Sequence, residues 1–72
     1  MPYVNIQITK EGGPGGSGAS AEQKKRLISG VTMLLKEVLG KSPNTTHVVI
    51  QDIELDNWGV GGLPVPEFRN QN

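Results

Sequence analysis

Apolar and polar positions alternate near the start of the chain: Val4, Ile6 and Ile8 are interleaved with Asn5, Gln7 and Thr9. That period of two predicts a strand with one buried face. The pattern stops at a glycine-rich run, residues 12–19, and resumes with a different period. Leu27, Ile28, Val31, Leu34, Leu35, Val38 and Leu39 recur at helical spacing and form one apolar face. Ahead of them, Ser20-Ala21-Glu22-Gln23 fits a capping box: Ser20 accepts from the Gln23 amide while the Gln23 side chain reaches back. Gly40 suits a C-terminal cap, and Pro43 opposes continuation. The stretch from Thr46 to Ile53, "THVVIQDI", is β-branched and apolar, which predicts a second strand buried on both faces at its middle.

Strand, helix and strand in so short a span predict a right-handed β-α-β unit with parallel strands. Gly61-Gly62 then marks the turn of a short hairpin. Pro64 and Pro66 confine the returning strand to an edge or to irregular structure. The polar end, residues 67–72, is expected to fray. The fold class is α+β, a β-α-β unit with a short C-terminal β-hairpin, in a single domain over residues 1–72.

Length sharpens this picture. A chain of 72 residues hides a smaller share of its surface than a larger domain does. Small domains compensate with disulfides, metals or oligomerisation. No cysteine is present, which removes disulfides and thiolate ligands, and the single histidine does not build a zinc site. Self-association is the remaining staple, and two strands with one helix leave both sheet edges and one face uncovered. Seven basic and seven acidic side chains cancel, so nucleic acid is not an expected partner. No apolar run reaches the length of a bilayer span, and "MPYVNIQITK" lacks the features of a signal peptide. A cytoplasmic, self-associating protein without a membrane partner is expected.

Gly13, Gly15 and Gly18 spell G-x-G-x-x-G between a predicted strand and a predicted helix. A dinucleotide fold needs more parallel strands than this chain has room for. Its third glycine belongs inside the helix, whereas Gly18 precedes the cap Ser20, and the position of the acidic ribose partner falls within the helix near Glu37. No Lys-Ser or Lys-Thr follows the glycines, so a P-loop fails as well. The run is read as a flexible connector, free to fold over a neighbouring pocket.

Pro2 carries more chemistry. Methionine is commonly removed before a small residue, which exposes the proline as a secondary amine, both base and nucleophile. An α-amino group titrates near about 8, and an apolar pocket or nearby cations bring it within reach of general base work. The plain alternative is a proline that merely starts an edge strand. The order of Pro2 opening an alternating strand, SAEQKKRLI at the helix start, the VVI strand and Asn57-Trp58-Gly59-Val60-Gly61-Gly62 resembles the 4-oxalocrotonate tautomerase family, from Pro2 to about Gly62.

The resemblance implies a β-α-β unit with a C-terminal hairpin, commonly assembled as a homohexamer, a trimer of dimers. It implies a tautomerase or isomerase without metal or cofactor, in which Pro2 moves a proton within a small unsaturated 2-oxo or enol acid. Cations in that family hold substrate carboxylates and steady the enolate-like oxygen, a role that accounts for much of such catalysis. Lys10 stands nearest to one of the family's arginines, unless the glycine-rich segment displaces that position; the plain reading is a solvated strand-end charge. His47 stands where the second arginine is usual, either a donor to substrate oxygen or only a polar strand end. Trp58 matches an aromatic pocket wall, with an interface plug as its other reading. The arginine replacements put a dicarboxylate substrate in question. Arg26 and Arg69 are spare cations, read by default as solvated surface, with presentation to a neighbouring subunit's pocket as the other reading. Two rival functions stay open: hydrolytic dehalogenation or hydration of unsaturated acids, with Asp52 or Glu54 orienting water, and a non-catalytic oligomeric binding module.

Overall fold

The structure, a computed structural model, describes residues 1–71. Its elements run β1 (Tyr3–Thr9), α1 (Ala21–Leu39), β2 (His47–Ile53), β3 (Gly59–Val60), β4 (Leu63–Pro64) and α2 (Val65–Arg69), with single 3-10 turns at Pro14–Gly16, Pro43–Thr45 and Leu55–Asn57. β1 and β2 pair in parallel, with Tyr3 opposite His47 and Thr9 opposite Ile53. Opposed residues share a face of the sheet. Val4, Ile6 and Ile8 of β1 therefore join Val48 and Ile50 of β2 on the half-buried side, where α1 packs. Tyr3, Asn5, Gln7, His47, Val49 and Gln51 occupy the other side, where the amide of Gln7 donates to Gln51 at 2.9 Å.

The helix ends follow local chemistry. The Gln23 amide donates to Ser20 Oγ at 3.1 Å, and the Ser20 amide donates to Gln23 Oε1 at 2.9 Å, which completes the expected capping box. Each such cap contributes about 1 kcal/mol. Gly40 closes the other end at φ 68°, donating its amide to the Leu35 and Lys36 carbonyls. Such a left-handed cap favours glycine because it carries no Cβ.

One expectation about burial needs correction. The middle of β2 is not covered on both faces, because one helix covers one side, and Val49 stays exposed. The apolar stripe of α1 is also broader than the two strands beneath it. Val31 and Leu35 are half-buried, while Leu27, Ile28, Leu34, Val38 and Leu39 remain exposed.

Only Val65 among the apolar residues described is buried, at 6% exposure. The protomer has a radius of gyration of 15.4 Å, against about 11 Å for a compact domain of this length. Its accessible surface is 5251 Å², against about 4,300 Å² for a folded monomer of this mass. A chain this open has too little core of its own, so the physical case for a second copy is stronger than the sequence alone made it.

The C-terminal hairpin forms as expected, with Gly59 opposite Pro64 and Val60 opposite Leu63. Gly61 and Gly62 both hold positive φ, 63° and 85°, as a tight hairpin turn with the twist of the flanking strands requires. The expected fraying of the tail is wrong for its first part, where α2 continues from the hairpin. Three contacts hold it there: the Val65 amide donates to the Trp58 carbonyl at 2.9 Å, the Phe68 ring covers Gly61, and Arg69 bonds Glu11. A Cβ at Gly61 would sit 3.0 Å from that ring. Backbone bonds continue to the Gln71 amide, and Asn72 lies outside the described residues.

Candidate active site

The sheet separates the sequence-predicted residues into two groups. At its N-terminal end the His47 amide donates to the Pro2 carbonyl at 3.0 Å, so Pro2 and His47 are neighbours through the backbone. Pro2 is half-buried, His47 is exposed, and Met1 before them is 86% exposed. At the other end β1 runs into Lys10, whose amide donates to the Ile53 carbonyl at 2.8 Å. The seven residues of β1 between them span roughly 23 Å. Pro2 and Lys10 therefore cannot meet within one chain.

Trp58 belongs to the Lys10 end. It lies half-buried beside an open depression of about 420 Å³, lined also by Gln7, Asp52, Ile53, Glu54, Asn57 and Gly59. The Trp58 backbone is fixed on both sides: its amide donates to the Leu55 carbonyl at 3.2 Å, and its carbonyl accepts from Val65. These bonds thus fix the Trp58 backbone at the edge of the depression. Of the four candidates, Pro2 and His47 share one end, Lys10 and Trp58 the other.

Carboxylates at the Lys10 end take up its cations. Lys10 Nζ lies 3.1 Å from Glu54 Oε1, and Lys24 of α1 bonds the Asp52 carboxylate. Lys10 is thus an exposed strand-end charge with a carboxylate partner. Arg69 lies on the exposed surface, as read, and is paired there, donating to the two Glu11 oxygens at 2.8 and 3.1 Å. This fork, helped by the Thr9 hydroxyl, holds the Glu11 carboxyl down at about 2, and Glu11 in turn raises Arg69. The pair straps α2 to the root of the glycine-rich run.

A carboxyl with a lowered folded value stabilises the fold above its unfolded value and loses that contribution as pH falls through the folded one. Glu11 should therefore add thermal stability at pH 5 and above that fades between about 4.5 and 2. The difference in Tm between wild type and Glu11→Gln, followed from pH 7 to pH 2, should be constant at first and vanish across that window.

The glycine-rich run also belongs to the Lys10 end. The Gly18 amide donates to the Gly12 carbonyl at 2.9 Å and closes the base of the loop. A Cβ at Gly13 would sit 1.9 Å from the Gly18 carbonyl oxygen, so this close approach admits only glycine. Gly18 is buried against the Lys10 backbone. Arg26 lines a separate depression on α1 with Ala19, Gln23 and Leu27.

Sequence reasoning missed Gln7 and Ile53 as lining residues and the pairing of Lys10 with Glu54. The parallel register was the signal that could have found them, because setting Thr9 against Ile53 places Lys10 beside Glu54. Among the described residues no three acidic or histidine side chains gather as a metal site would require, and no helix is long and apolar enough to cross a membrane.

Comparison with known proteins gives a consistent result. The sequence profile described as tautomerase enzyme matches residues 2–67. The chain is 56% identical over 71 residues to a probable tautomerase K2 of Dickeya dadantii, covering 99% of this chain and 97% of that one. It is 34% identical to the 2-hydroxymuconate tautomerase of Comamonas testosteroni, across 94% and 97% of the two chains. Among solved structures, DmpI of Helicobacter pylori superposes with a TM-score of 0.82 at 37% identity, covering 99% of this chain and all of the other.

Proposed function

The chain belongs to the tautomerase family, an isomerase family, and on that premise we propose that it moves a proton within a small 2-oxo or enol acid, with the Pro2 amine as general base. The observation that carries this reading is Pro2 itself. It is the second residue, it opens the first strand, and the family match begins with it. Removal of Met1, which is almost fully exposed, frees the secondary amine.

In the neutral form that amine takes the proton from the substrate's enol hydroxyl and returns one to carbon as the double bond shifts. An O–H bond breaks, a C–H bond forms, and no oxidant or cofactor enters the balance. Negative charge gathers on the 2-oxygen and its carboxylate during the transfer. His47, at the Pro2 end, is the donor suited to meet it. Trp58 supplies an apolar wall against which a neutral amine persists near physiological pH.

Trp58 and Pro2 lie at opposite ends of one sheet, so a complete pocket draws on more than one copy. We assign the open sheet face and the uncovered stripe of α1 to that self-association, with a homohexamer as the expected assembly. Two observations support it: the near absence of a buried core in the single chain and its extended shape.

The hydrolytic alternative requires a carboxylate to orient water; Asp52 and Glu54 line the depression, each paired with a lysine. Isomerisation is favoured because the matched family and relatives are tautomerases. The test is direct: protein whose mass shows Met1 removed should convert phenylenolpyruvate to its keto form and release no halide from 3-haloacrylates. Inactivity on every enol acid tried would leave only a binding module, and halide release would favour the hydrolytic reading.

A further inference from the structure

The depression beside Trp58 is lined by two carboxylates, Asp52 and Glu54, and by no cationic side chain. The lysines nearest to them are already engaged, Lys24 by Asp52 and Lys10 by Glu54. A ligand carboxylate that enters here meets Lys10 only in competition with Glu54, sharing the ammonium or displacing that carboxylate. Either way Glu54 remains at the wall of the same depression, beside Asp52, as a like charge next to the ligand. An uncharged group meets no such opposition. It finds the Trp58 indole and Ile53 as apolar surface, with the neutral amides of Gln7 and Asn57 around them.

Resting on the tautomerase reading above, we propose that Glu54 sets the charge of the accepted substrate. The site takes a monocarboxylate enol acid whose distal group is uncharged, apolar or aromatic, and it discriminates against dicarboxylates. The single carboxylate and the 2-oxygen belong at the Pro2 and His47 end, and the distal group rests against Trp58. Glu54 acts as a built-in competitor for Lys10. Both side chains of this pair are substantially exposed, so the effect is moderate, about fivefold in relative affinity.

Trp58 is the only tryptophan in the chain, so its fluorescence reports occupancy of this depression without any turnover. We would titrate wild type, Glu54→Gln and Glu22→Gln with 3-phenylpropionate and with adipate, both inert. Wild type should bind the monocarboxylate more tightly. Glu54→Gln should move the ratio of the two Kd values toward adipate by about fivefold. Glu22→Gln, the same change of charge on the exposed first turn of α1 and outside the lining of the depression, should leave the ratio in place. The proposal is overturned by tighter adipate binding in wild type, by an unmoved ratio in Glu54→Gln, or by an equal shift in Glu22→Gln. Absence of any fluorescence response overturns it too.

Pro2→Ala separates this proposal from the reading beneath it. Loss of the charge preference with proline-dependent turnover intact removes the role of Glu54 alone. Retained preference with turnover that ignores Pro2 removes the catalytic assignment alone.

Discussion

Replacing Pro2 by alanine should lower kcat for phenylenolpyruvate by about 10²- to 10⁴-fold, the range that a positioned general base contributes. The alanine variant still begins with an amine once Met1 is removed, so the loss measures more than the presence of nitrogen. A primary amine on a flexible residue lacks the ring that fixes φ and directs the lone pair, and its aim is set by rotation about a free bond. KM should change little, because the carboxylate and the distal group are held by other side chains. A fall in kcat with a steady KM is the signature of an interaction made in the transition state. The fold should survive, since Pro2 precedes β1 and gives the sheet only its carbonyl, which alanine also supplies to the His47 amide. Circular dichroism and the oligomeric state of the variant check that point.

A second large effect follows from the length of β1. With Pro2 and Trp58 at opposite ends of the sheet, each pocket should be built from at least two copies. Pro2→Ala and Trp58→Ala, each impaired by about tenfold or more, should then rescue one another. Co-refolding the two at equal amounts pairs an intact Pro2 with an intact Trp58 in about a quarter of sites, half the copies supplying each, as a symmetric assembly of random composition requires. Activity should recover toward about that fraction of wild type. A single-chain pocket predicts no recovery at all, because every chain carries one lesion. Size-exclusion chromatography with light scattering verifies that mixed assemblies form.

What the sequence disclosed was the part fixed by neighbours in the chain. Alternation in residues 4–9, the Ser20 to Gln23 capping box, the left-handed Gly40 and the Gly61-Gly62 turn each follow from interactions a few residues apart. The structure realises them within a residue of their expected bounds. The helix at Val65–Arg69 was hidden for the opposite reason. Five residues do not form a stable helix by themselves. This one depends on Phe68 meeting Gly61 and on Arg69 reaching Glu11, fifty-eight positions away. The pairing of Lys10 with Glu54 and of Lys24 with Asp52 likewise depends on strand register and helix placement, which pattern alone leaves unset.

The candidate residues show the same division. Pro2 stands out by its place in the chain, and Trp58 by the glycines that follow it. Their partition to opposite ends of one sheet is a consequence of the parallel crossover, in which the helix returns the chain to the end where it began. His47 therefore sits beside Pro2, and Trp58 cannot. At the far end Glu54 already pairs with the lysine that the resemblance suggested for a carboxylate.

The central claim is that the free amine of Pro2 does the chemistry, and one measurement addresses it directly. Protein made in cells with methionine aminopeptidase inhibited retains Met1 and carries Pro2 in a peptide bond. Intact mass and turnover of phenylenolpyruvate are followed together while purified aminopeptidase removes the exposed methionine. Activity should begin near background and rise in proportion to the Met1-free fraction. Full activity in the fraction that still carries Met1 would contradict the account.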